Sequence, residues 1–140
     1  MSLMTRIRKN VEGAAALEFA IVAPLFFMTI FTMIGYGIYL SASYAIQQIA
    51  ADAARTAVAG LSETERKSLA NTFIQSSTLS YAFIDKKKLT VDVADDVSNL
   101  NQFTVTIAYD SSELPIWNLF SFALPDEEIK RYATIRLGGI

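Results

Sequence analysis

Between Gly13 and Ala51 the chain runs 39 residues with a single charge, Glu18. No other feature limits the fold as strongly. The segment Ala14 to Leu40, AAALEFAIVAPLFFMTIFTMIGYGIYL, has 27 residues. As a helix it would be about 40 Å long, against a bilayer core of about 30 Å. In a protein of 140 residues, a soluble core can scarcely cover a helix that is apolar on every side. A secretory signal peptide has a shorter apolar region of about 7–15 residues and a small-x-small cleavage site after it, and this sequence has neither. The segment is therefore expected to span a membrane. Arg6, Arg8 and Lys9 stand before it against Glu12, and the next basic residue is Arg55. By the positive-inside rule the N-terminus is expected in the cytoplasm and the remainder outside.

Composition removes several function classes. The chain has no Cys and no His, so disulfide scaffolds, thiolate metal sites, thiol nucleophiles and imidazole bases are excluded. Twelve basic and fourteen acidic residues give a net charge of −2, which disfavours nucleic acid as a partner. No phosphate loop, nucleophile elbow or dinucleotide fingerprint is present. Asp92, Asp95 and Asp96 lack the loop Gly and closing Glu of a calcium site. The expectation is a non-enzyme with no catalytic residues, metal, cofactor or small-molecule substrate.

Glu18 is the anomaly within the apolar run. A carboxylate is costly in the bilayer interior and less so near its edge. One reading has Glu18 reach the cytoplasmic headgroups. The other gives it a dedicated cation. A cut after Gly13 would supply one, because Ala14 would then carry a free α-amine, largely protonated at neutral pH. Glu18 would be the fifth residue of the shortened chain, one helical turn away.

A short basic leader, then Gly13, Ala14 and Glu18, then a continuous apolar helix, resembles the cleavage region of type IV pilin-like proteins. The wider string GAAALEFAIVAPLF, with Pro24 and Gly35–Tyr36–Gly37 beyond it, resembles more specifically the TadE-like family. These are minor pilin-like (pseudopilin) components of tight-adherence, or Flp, pilus systems. The family pattern reads G-x-x-x-V-E-F-A-x-x-x-P-x-x, and Leu17 stands where Val is common. The resemblance implies cleavage after Gly13 by an inner-membrane prepilin peptidase and pairing of Glu18 with an N-terminal amine during assembly. It also implies other pilin-like subunits and the pilus assembly machinery as partners, besides the lipid bilayer. The expected location is the inner membrane with a periplasmic C-terminal domain, and entry into the pilus is left open. The alternative is an uncleaved single-pass anchor whose outer domain binds another envelope protein.

Three further positions in the helix have two readings each. Pro24 removes one backbone bond, and a kink that shapes packing is expected rather than a chemical role. Gly35 and Gly37 either permit close helix approach or are filler.

The sequence predicts residues 1–13 as a leader, 14–40 as the transmembrane helix and 41–60 as its outer continuation. Residues 61–140 are then an outer domain. Ile46, Ile49, Ala50, Ala53 and Ala57 share one side of the continuation, and Gly60 is a C-terminal stop signal. Asp52 and Arg55 are spaced for a surface pair. Ser62 and Glu65 form a capping box for a second helix that fades around Ser76 to Ser80. Period-two runs at 89–93 and 103–109 predict an antiparallel strand pair, with a third strand at 129–137. Lys86, Lys87 and Lys88 read as a solvated turn. The resulting fold class is α+β: a long N-terminal helix packed on a small antiparallel sheet domain. The apolar connection at 113–127, with Trp117, Phe120 and Phe122, is unusually long. It could cover the core, lie on the membrane or dock a partner.

Overall fold

The computed structural model describes residues 11–76, 81–117 and 125–138, with side chains from Gly13 onward. One helix, α1, runs Val11–Ala57 without interruption, through Pro24. It is followed by α2 (Glu63–Ser76), a short 3-10 turn (Lys86–Lys88), and strands β1 (Leu89–Asp95), β2 (Gln102–Asp110) and β3 (Glu128–Arg136). The strands form one antiparallel sheet in the order β1-β2-β3. The architecture is α+β, as the patterns predict.

The two halves of α1 differ in what surrounds them. No residue from Gly13 to Ile34 is buried. Within this stretch the Thr29 and Thr32 hydroxyls donate to the carbonyls of Leu25 and Met28, at 2.9 and 2.8 Å. Their polarity is thus satisfied inside the helix. From Ala42 to Ala57 the helix buries Ala42, Ile46, Ile49, Ala50, Ala53, Ala54 and Ala57 completely. Their spacing follows the helical repeat. Mostly alanine, this face lets the sheet and α2 approach closely.

The sheet supplies the other side of the core. Val91 and Val93 on β1, Phe103, Val105, Ile107 and Tyr109 on β2, and Ile129 on β3 are buried. The intervening residues face outward; Thr104 and Thr134, paired across β2 and β3, hydrogen-bond at 2.8 Å. The alternation that identifies the strands in sequence is the alternation between core and solvent.

α2 starts as a capping box. The Ser62 hydroxyl accepts from the Glu65 amide at 3.3 Å, and the Glu65 carboxylate accepts from the Leu61 amide at 2.9 Å. The helix ends at Ser76; residues 77–80 lie outside the described residues. Gly60 differs from expectation. α1 ends at Ala57, and Gly60 does not have the left-handed backbone of a helix-terminating glycine. Its lack of a side chain serves a close approach instead. A Cβ there would lie 2.8 Å from both the Cγ and the backbone N of Arg66.

Candidate functional site

The apolar half of α1 is the first candidate. It is long and apolar enough to cross a membrane. Gly13 and Ala14 are adjacent in its exposed N-terminal part, and Glu18 lies one helical turn beyond Ala14. A Cβ at Gly13 would meet nothing within 4 Å. Glu18 has no ion-pair or hydrogen-bond partner among the described residues. Among the described residues, therefore, nothing pairs with the one charged side chain of the apolar run. Pro24 sits in the same exposed stretch.

Gly35 and Gly37 have different surroundings. Gly35 is buried, and a Cβ there would sit 4.0 Å from the Ile116 Cβ. Gly37 is exposed, with open space where a side chain would be. Gly35 is thus where the domain first closes on the helix. Ile38 and Tyr39 pack against the core next, so this contact begins ahead of Ser41.

The chain that reaches Gly35 is the β2–β3 connection. Its ends are pinched together: the Ser111 amide donates to the Glu127 carbonyl at 2.8 Å, and the Ser111 hydroxyl donates to the same oxygen. Leu114 and Ile116 are buried, and Trp117 packs against the core with its indole N–H donated to the Ser111 carbonyl. Through Trp117, then, the connection covers the core, one of the three readings open from sequence. Phe120 and Phe122 lie outside the described residues.

The charged clusters are tied into the fold. Asp92 pairs with Lys67 at 3.2 Å and Asp95 with Arg66, while Asp96 accepts from the Ser98 amide and hydroxyl. Those two bonds hold the Asp96 carboxyl below its ordinary range, because they favour the charged form. Ser112 does the same for Asp110. The Lys run is more than a solvated turn. Lys88 is bonded to Glu113 at 2.9 Å, and that bond raises its pKa. The expected Asp52–Arg55 pair forms at 2.7 Å.

Arg66 was not legible in the sequence. It is 6% exposed. Its Nε donates to the Gly60 carbonyl at 3.2 Å, its Nη1 to Asp95, and its guanidinium lies 5.0 Å from the centre of the Phe103 ring. In sequence it is one more charge on a polar helix. A glycine six residues before it is too weak a signal to find it by.

Comparison with known families places the first candidate. Residues 13–55 match the family model described as TadE-like protein. The match begins at the glycine before the apolar run and ends within the alanine-rich half of α1. It associates this segment with Tad pilus proteins. No curated protein and no solved structure matches the chain.

Proposed function

We propose that this protein, with its TadE-like helix, is a minor pilin or pseudopilin of a tight-adherence pilus. A prepilin peptidase cleaves it after Gly13. It is a structural subunit and performs no catalysis itself. Its apolar half-helix lies in the inner membrane with the N-terminus in the cytoplasm, and the α+β domain is periplasmic. Its partners are the peptidase, other pilin-like subunits and the assembly machinery.

One observation carries the reading. Among the described residues Glu18 has no partner; it lies in a stretch of helix with no buried residue, five positions past a glycine beside which a side chain would meet open space. A carboxylate kept in such a place needs a cation from elsewhere, and the freed amine of Ala14, on this chain or a neighbour, is the right charge at the right spacing. The N-terminal residue of protein purified from its own cells tests this. Ala14 is the expected result. An intact leader would instead favour an uncleaved anchor whose outer domain binds another envelope protein.

Two variants separate processing from assembly. Gly13→Leu fits the open space around Gly13, so it should fold and remain full length by mass spectrometry. Glu18→Ala should insert at least as well as the parent, since it removes a charge worth about 2.5–3.5 kcal/mol near a bilayer centre on insertion scales. Piliation should fall all the same, and equal piliation would count against the role of Glu18.

A further inference from the structure

A groove of about 310 Å³ opens between α1 and β3, lined by Leu40, Ser43, Tyr44, Gln47 and Arg131. Gln47 bridges its two walls, donating from Nε2 to the Tyr132 carbonyl at 3.0 Å. Two features set it apart from an ordinary crevice. The Ser43 hydroxyl is the one buried side-chain polar atom without a hydrogen-bond partner among the described residues, in a side chain that is 5% exposed. Arg131 is half-buried on the sheet face that carries Ile129, and it has no carboxylate partner among the described residues. Its Nη1 bonds the neighbouring Lys130 carbonyl at 2.6 Å, leaving further guanidinium donors. No carboxylate lines the groove. A guanidinium with no carboxylate partner, sharing a groove with an unused hydroxyl, suits a tetrahedral oxyanion.

The position of the groove selects the source of that anion. With Glu18 at one edge of a ~30 Å apolar layer, the other edge falls about twenty residues on, near Ile38. Ser43 then stands about 7 Å further out, in the headgroup layer. Below the groove an exposed stripe of Met33, Gly37, Leu40 and Tyr44 descends the helix at spacings of four, three and four. The open space at Gly37 leaves room along that stripe for an acyl chain.

We propose that this groove binds the phosphate of a phospholipid, with Arg131 and Ser43 on the headgroup and an acyl chain along the Gly37 stripe. The site rests on α1 crossing a bilayer and is independent of cleavage after Gly13. It would fix the depth and rotation of the domain against the membrane surface.

Native mass spectrometry of the full chain in detergent, with added phosphatidylglycerol, tests it. The parent should retain the lipid. Arg131→Gln should weaken retention about tenfold or more, the loss of one charge-assisted hydrogen bond, and Arg131→Lys should restore part of it. Ser43→Ala and Gly37→Leu, which leave the charge in place, should each reduce retention while the melting temperature holds. A galactosyl diacylglycerol without phosphate should not be retained. Equal retention by Arg131→Gln, or by Ser43→Ala and Gly37→Leu together, would overturn the site, as would equal retention of the galactolipid. Displacement of the lipid by inorganic phosphate would overturn the lipid assignment in favour of a free anion. Vesicle flotation separates this from the reading of α1. A chain that floats but shows no Arg131 dependence loses only the site, and one that does not float loses both.

Discussion

At the scale of single residues, Arg66 shows how one side chain can join three elements. It ties α2 to the turn that follows α1 through the Gly60 carbonyl, to β1 through Asp95 and to β2 through the Phe103 ring. Gly60→Ala should destabilise the domain by about 1–3 kcal/mol, the usual range for overpacking, because the backbone of Arg66 lies as close as its flexible side chain. Alanine is the better helix former, so a raised urea midpoint in detergent would refute this steric account. Asp96 gives a prediction in pH. Its carboxyl is depressed by Ser98, so the unfolded chain takes up the proton first as pH falls. The stabilisation is full above the ordinary carboxylate value and lost as pH drops through the lower folded one. Asp96→Asn should therefore show a smaller loss of melting temperature on acidification below about pH 4 than the parent. An equal loss would show that the Ser98 bonds do not matter to stability.

At the scale of elements, α1 is one helix with two kinds of surface. Its N-terminal half, apolar apart from Glu18, is exposed, and its C-terminal half has one small-residue face against the sheet and α2. The change falls at Gly35, where Ile116 meets the helix. That contact is ordinary in length, so Gly35→Ala should be tolerated and gain up to about 1 kcal/mol from helix propensity. Gly35→Leu should push the β2–β3 connection away and lower the melting temperature. If both variants melt alike, the seat of Ile116 is not at Gly35. The strands and α2 were legible from sequence because their signals are local: period two for the sheet, a capping box for α2. Sequence places the helix stop at Gly60, whereas α1 ends at Ala57, because a glycine ending a helix looks the same, in one dimension, as a glycine making room for a distant arginine.

At the scale of the whole molecule, the domain is built on the same helix whose N-terminal half is long and apolar enough to cross a membrane. Its core includes Ile38 and Tyr39 as well as the alanine face. A soluble fragment starting at Ser41 discards those contacts and should melt below one starting at Gly35; equal melting would place the boundary where sequence alone suggests it. Ile116→Ala, at a fully buried position, should cost about 2–5 kcal/mol, as large-to-small core changes do. The sequence by itself determined the apolar helix, the strands, the α+β class and the glycine–glutamate arrangement of the TadE-like segment. Each rests on composition or on spacing within a few residues, where helix and strand geometry act directly. Tertiary structure alone decided that Arg66 is buried, that Ile116 seats on Gly35 and that Arg131 shares a groove with Ser43. These pairings join residues far apart in the chain. They arise when the sheet, α2 and the connection are packed onto one face of α1, and no local period encodes which residues then meet.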